Sequence, residues 1–192
     1  MGRGASHGES RVNRHRKSSL ILSAFLLGCA ARAETPVEVT LADELDESRA
    51  GYCLDTRGGR NRAGASVIVH SHSCRSYLGE LAEDQTFDAD RIAEGIFELM
   101  ELDVCMTARE QAVGSELTLE PCDGSGAQRF EHVPSGQIVP AGARETCLTV
   151  SGGPSRQAGG GDPPHLIRDV SLEPCDSGRE NRQRWSLRES PE

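Results

Sequence analysis

The sequence predicts an all-β domain built from three copies of one cysteine-bearing unit, and three observations lead there. Residues 117–130, LTLEPCDGSGAQRF, return near the C-terminus as residues 170–185, VSLEPCDSGRENRQRW, so the chain is internally repetitive. In both copies apolar and polar residues alternate into Pro-Cys-Asp, the pattern of a half-buried strand that runs into a turn. A weaker third copy occupies residues 67–87, where Val67 and Val69 alternate toward Cys74 and Gln85 and Phe87 close the unit.

Each copy also opens with a cysteine on a short apolar strand: Cys53-Leu54-Asp55, Cys105-Met106-Thr107 and Cys147-Leu148-Thr149. The unit therefore reads Cys-apolar-polar, loop, alternating strand, Cys, loop, Gln-x-aromatic. This pattern resembles the ricin B-type beta-trefoil lectin family, with its C-L-D openings and Q-x-W closings. The resemblance spans residues 46–188, in repeats of about 46–92, 93–138 and 139–188, after a lead-in at 34–45 and before a tail at 189–192. It implies a beta-trefoil and a carbohydrate or glycoconjugate as partner.

Residues 1–33 read as a secretory signal peptide, with Arg3, Arg11, Arg14, Arg16 and Lys17 ahead of an apolar run at 20–27 and the small-residue stretch Ala30-Ala31-Arg32-Ala33. The apolar run is well short of the roughly 20 residues of a bilayer-spanning helix. Leu26-Leu27-Gly28-Cys29 also fits a lipobox, in which Cys29 carries lipid. Cleavage after Ala33 gives a secreted or periplasmic protein; lipidation of Cys29 gives a surface lipoprotein.

Of the seven cysteines, Cys29 falls in the leader and two remain in each repeat. The repeat selects the pairs Cys53–Cys74, Cys105–Cys122 and Cys147–Cys175, and export supplies the oxidising environment. Each bond adds about 3 kcal/mol by restricting the unfolded chain. With 36% hydrophobic and 4% aromatic residues the core is lean, and such cross-links compensate. No C-x-x-C spacing supports a zinc site.

Residues 34–192 hold 15 basic against 29 acidic residues. That balance argues against nucleic acid, whose phosphates require positive charge, and against anionic lipid. The arginines are scattered through turns and loops instead of clustered. Residues 37–41 alternate as the first strand and should pair with the last, but only seven residues follow Trp185, so incomplete closure is expected. Residues 91–102, RIAEGIFELMEL, carry a helical spacing that Gly95 interrupts, and their place in the repeat favours strands, with Ile92, Ile96, Leu99 and Ile138 in the core. The insertion SGGPSRQAGGGDPPH at 151–165 reads as a flexible surface loop.

The family resemblance also implies a saccharide site. An aspartate two residues after the first cysteine accepts from sugar hydroxyls, an aromatic residue two before the second cysteine stacks on the sugar's apolar face, a glutamine four before it assists, and Asn-Gln completes the set. The chemistry is sound, since carboxylates accept, amides do both and aromatic faces suit CH-rich surfaces. Repeat one offers Asp55, His72 at the stacking position, His70 at the glutamine position, and Asp84 with Gln85; Tyr77 is an alternative platform. Repeats two and three place Thr107 and Thr149 at the aspartate position and Glu120 and Glu173 at the stacking position, so both are expected to be silent.

The same residues have structural readings. Gln85, Gln128 and Gln183 bridge backbone groups in hairpins, Phe87, Phe130 and Trp185 fill the core, and Asp55 ties a turn. His70 and His72 lie on one strand face, as zinc ligands can, with Asp84 as a further donor, but a disulfide-bonded Cys74 supplies no third ligand; two solvent-facing histidines are expected. No G-x-S-x-G, H-E-x-x-H or phosphate-cradling glycine motif is present, so neither catalysis nor a cofactor is expected. Two functions remain: a lectin-like module with one site in repeat one, and an exported scaffold or protein-interaction module without sugar affinity.

Overall fold

The computed structural model describes residues 1–4, 34–47, 49–57 and 67–189. The chain divides into the units Met1–Arg32 and Ala33–Glu192, and every described element of regular structure belongs to the second. Cys29 and most of the leader lie outside the described residues.

The strands fall into three sets of four. The first is β1 (Pro36–Leu41), β2 (Tyr52–Thr56), β3 (Val67–Ser73) and β4 (Thr86–Asp88). The second is β5 (Glu98–Leu99), β6 (Val104–Thr107), β7 (Thr118–Pro121) and β8 (Phe130–His132). The third is β9 (Ile138–Pro140), β10 (Thr146–Val150), β12 (Leu166–Pro174) and β13 (Trp185–Glu189), with an added β11 (Arg156–Gln157) from the insertion.

Each set repeats the same pairings. The second and third strands form antiparallel hairpins, β2 with β3, β6 with β7 and β10 with β12. The fourth strand of one set pairs with the first of the next, β4 with β5, β8 with β9 and β13 with β1. Where the sequence predicts incomplete closure, β13 matches β1 over all five of its residues, from Glu189 opposite Val37 to Trp185 opposite Leu41. The first β-strand is thus covered on its outer edge. The path from β3 through β2, β1, β4, β5, β6 and β7 returns to β3, which closes a ring of strands.

The three disulfides join Cys53 to Cys74, Cys105 to Cys122 and Cys147 to Cys175, one per set. Phe87, Phe130 and Trp185 are buried at corresponding positions, as are Leu54, Met106 and Leu148 after each first cysteine. Phe97 links two of the aromatic positions by edge-to-face contacts, 6.4 Å to Phe87 and 6.0 Å to Phe130. Ile92, Ile96, Leu99 and Ile138 are buried as expected.

Residues 91–102 correct the strand reading. Ala89–Ala93 is a short helix, α1, capped by the Asp88 carboxylate, which accepts from the Asp90 amide. The segment extends only at Glu98–Leu99. Gly95 is the reason: its φ of +83° favours glycine, and a Cβ there would lie 2.7 Å from the Phe130 carbonyl oxygen. That close approach lets the Phe130 amide donate to the Gly95 carbonyl at 3.0 Å, joining the helix end to β8.

Candidate functional site

Asp55 sits on β2 directly opposite His70 of β3, and His70 in turn lies opposite Asp169 of β12. Cys53, His72 and Ile167 form the next row in the same register. Opposed residues of antiparallel strands share a face, so Asp55, His70, His72 and Asp169 lie on one side of a three-stranded patch. Gln85, just before β4, reaches the same point.

The Asp55 carboxylate is held from two directions. One oxygen accepts from the Thr56 amide and the other from Gln85 Nε2 at 2.7 Å. His72 Nδ1 lies 3.7 Å from that second oxygen and donates to the Ser73 carbonyl at 2.9 Å. Asp84 is half-buried, and its charge acts on both Asp55 and His72. Four of the five residues are enclosed: Asp55 is 4% exposed, His70 5%, His72 6% and Gln85 0%. The expectation of solvent-facing histidines is therefore corrected. Strand β3 is flanked by β2, β12 and β7, and both of its imidazoles are buried on the face they share with Asp55.

Enclosure sets the protonation states. Burial first, and then the charge of Asp84, pushes the Asp55 carboxyl up to about 8, against the pull of Gln85 and the Thr56 amide. Burial pushes His70 down to about 4, with His72 and Arg57 adding to the effect and Asp169 opposing it. His72 is lowered chiefly by burial as well, against the Ser73 carbonyl, which favours its charged form. Enclosure thus favours the uncharged forms of His70, His72 and Asp55 alike.

The glutamine geometry recurs in all three repeats and bears out the structural reading. Gln85 Oε1 accepts from the Arg75 amide, and Nε2 donates to the Ser73 carbonyl and to Asp55. Gln128 accepts from the Asp123 amide and donates to the Pro121 carbonyl and Thr107 Oγ1. Gln183 does the same with Asp176, Pro174 and Thr149. Thr107 and Thr149 thus fill the clamp position that Asp55 holds in repeat one, and a carboxylate stands there only in repeat one. Glu120 forms a bidentate ion pair with Arg109, and Glu173 accepts from Ser171 Oγ with Arg179 nearby. Neither position offers a stacking surface.

Sequence reasoning missed what covers the patch. His165, at the end of the insertion, is buried and meets the His72 ring edge-to-face at 5.2 Å. Its Nε2 hydrogen-bonds the Tyr77 hydroxyl at 2.8 Å, and the Arg49 guanidinium lies 4.8 Å over the Tyr77 ring. At the other end of the patch Arg57 and Arg156 both bind Asp169. The insertion is thus more than a surface loop: residues 152–164 are exposed or half-exposed, while β11 pairs with β12 and His165 is inserted against repeat one. No local pattern announces a contact across 88 residues.

Glu38 lies beside Cys53 and Cys74, and Glu98 beside Cys105 and Cys122. The sulfurs are consumed in disulfides, which removes the thiolates that a metal would need. Among the described residues no helix is long and apolar enough to cross a membrane.

Comparison with solved structures places this geometry among known folds. The chain is similar to the beta-trefoil lectin of the Vibrio vulnificus hemolysin/cytolysin, solved with N-acetyl-D-lactosamine bound, at 19% identity, with 84% of this chain and 98% of that one covered and a TM-score of 0.53. It is similar to the C-half of an earthworm R-type lectin in complex with GalNAc, at 15% identity, 81% and 98% coverage and a TM-score of 0.53. A designed threefold symmetric protein, ThreeFoil, matches at 15% identity, 80% and 97% coverage and a TM-score of 0.52. No curated protein matches the chain. The family model for the ricin-type beta-trefoil lectin domain matches residues 42–160. With more than half of its length matched and a threefold trefoil around the match, this chain belongs to the ricin-type beta-trefoil lectin domain family.

Proposed function

We propose that this chain is an exported, non-catalytic carbohydrate-binding module with a single saccharide site in repeat one, formed by Asp55, His70, His72, Asp84 and Gln85. The observation that carries the proposal is the Asp55–Gln85 hydrogen bond, which supports a carboxylate at the one clamp position of three where the others have threonine. A carboxyl group accepts from sugar hydroxyls in either protonation state and donates to one when protonated, and the glutamine bond orients it for that task. The solved relatives hold N-acetyl-D-lactosamine and GalNAc, which makes galactose-type sugars the first ligands to try. Three disulfides suit an oxidising compartment outside the cytosol, reached through the leader at 1–33 or through a lipid on Cys29.

A second reading, a scaffold that binds a protein and no sugar, draws on the burial of Asp55, His70 and His72. The test is a glycan array, including N-acetyl-D-lactosamine and GalNAc conjugates, probed at several pH values with oxidised protein recovered from an exporting host and with Asp55→Ala. Binding that the variant loses supports the saccharide site. No binding by either protein at any pH rejects it in favour of the scaffold.

A further inference from the structure

Two cavities, of about 400 and 270 Å³, share Arg49, Ala50 and Arg188 in their walls and so adjoin as one trough beside β13. One end adds Ser76, Tyr77 and Glu189, and the other adds Thr40, Glu44 and Ser186. None of Asp55, His70, His72, Asp84 and Gln85 lines it. The strand register accounts for its walls. Ser186 and Arg188 alternate onto one face of β13, opposite Thr40 and Glu38 of β1.

Arg188 is held in place by a carboxylate with no exposure of its own. Glu38 Oε2 accepts from Arg188 Nε at 3.1 Å and Nη2 at 2.7 Å, while Oε1 accepts from the Ser76 amide at 3.1 Å. These bonds occupy one edge of the guanidinium. Nη1 has no hydrogen bond among the described residues, and the side chain is 39% exposed. Arg49 is less well satisfied. Its guanidinium lies 4.8 Å over the Tyr77 ring and Nη1 donates to the Pro163 carbonyl, but Nε and Nη2 are enclosed without a hydrogen-bond partner. The Glu47 carboxylate stands 3.7 Å from Nη2 and is itself engaged by the Ser73 hydroxyl. An enclosed guanidinium edge without an acceptor is a cost that a bound anion offsets.

We propose that the middle of this trough binds one carboxylate of a small ligand, with Arg188 Nη1 as the direct donor and Arg49 as the second positive charge. Arg49 and Arg188 are the charged residues common to both cavities, which fixes the anion where the cavities meet. Glu189 and Glu44 line one end each and repel further negative charge, so the ligand is a monoanion. A guanidinium suits a planar carboxylate in shape as well as charge. Tyr77 is 38% exposed and lines the same trough, where its ring offers an apolar face to the body of a cyclic acid such as a uronic acid. The carboxylate comes either from a free acid or from a sugar acid, and the arginine pair serves both. This site does not depend on the saccharide reading of repeat one.

The test is a titration of the oxidised, 15N-labelled full chain, at constant ionic strength, with sodium acetate, sodium glucuronate and the neutral methyl ester of glucuronic acid. Saturable amide shifts are expected at residues 49–51, 76–77 and 186–189 with acetate and glucuronate, and binding of the ester at least tenfold weaker than that of glucuronate. Arg188→Lys keeps the charge opposite Glu38 but removes the planar donor edge, and should weaken both acids about tenfold. Arg49→Gln should weaken both about fivefold. Thermal melting checks that each variant is folded, and if one arginine variant is not, the other decides. Tyr77→Ala tells the two sources apart. A loss of about fivefold for glucuronate alone assigns the site to sugar acids; no loss for either acid assigns it to free carboxylates and removes Tyr77 from it. Shifts absent from these residues, an ester that binds as well as the acid, or affinities unchanged by the folded arginine variants would overturn the site.

Discussion

Replacing Asp55 with threonine separates its cost to the fold from its use. Thr107 and Thr149 already fill the equivalent position, where each hydroxyl accepts from the clamp glutamine and donates to the carbonyl of the preceding cysteine. Asp55→Thr should therefore keep Gln85 in place and remove a buried carboxyl. That carboxyl titrates at about 8 in the fold against the ordinary 3.8, so it binds its proton more tightly when folded and its contribution to stability falls as the pH rises between those values. The slope is about 1.4 kcal/mol per pH unit. Between pH 5.0 and 7.5 the variant should gain about 3 kcal/mol on the parent by that slope. His70 and His72 run the other way, since their weakened proton binding lowers stability as the pH falls below about 6.5, but they are common to both proteins and drop out of the difference. Urea denaturation with disulfides intact, at both pH values, gives the two midpoints and shows whether the slopes m agree. A difference between variant and parent that stays constant with pH would refute the reasoning, because it would mean that Asp55 is ionised in the folded chain. The same variant is expected to lose all glycan binding.

Two further outcomes follow from the clamp and the cross-links. Gln128→Ala removes a partner from the Asp123 amide, the Pro121 carbonyl and the buried Thr107 hydroxyl, which keeps its bond to the Cys105 carbonyl; a loss of about 2 kcal/mol is expected, since Asp123 and Pro121 are exposed to water and a hydrogen bond contributes about 1 kcal/mol net, and a loss below about 0.5 kcal/mol by urea denaturation would show that the glutamine is dispensable. Limited reduction should open Cys105–Cys122 and Cys147–Cys175 before Cys53–Cys74, because Cys122 is exposed and Cys175 half-exposed while Cys53 and Cys74 are both fully buried; mass mapping of alkylated peptides reads the order, and early loss of Cys53–Cys74 would contradict it.

The frame of the molecule was legible because it is written three times. The spacing of Cys, Cys and Gln-x-aromatic carried the pairings of cysteines, the bridging glutamines and the buried aromatic trio, since each depends on contacts within one repeat. Residues 91–102 were harder to read, because whether Gly95 ends a helix or sits in a strand depends on the Phe130 carbonyl that packs against it. The short tail after Trp185 misled for a similar reason: closure depends on β1, about 150 residues away, which presents a full set of partners.

Sequence by itself determined the threefold fold and the cross-links, because periodic patterns and local loop closures are properties of neighbours along the chain, while the candidate residues Asp55, His70, His72, Asp84 and Gln85 were what the family resemblance implied. Only the tertiary structure decided the state of that site. The strands β2, β3 and β12 bring Asp55, His70 and Asp169 into one row, and the insertion places His165 over His72. Whether a polar side chain is charged or neutral, open or covered, depends on how much water the whole fold leaves around it, and that quantity is set by residues distant in sequence.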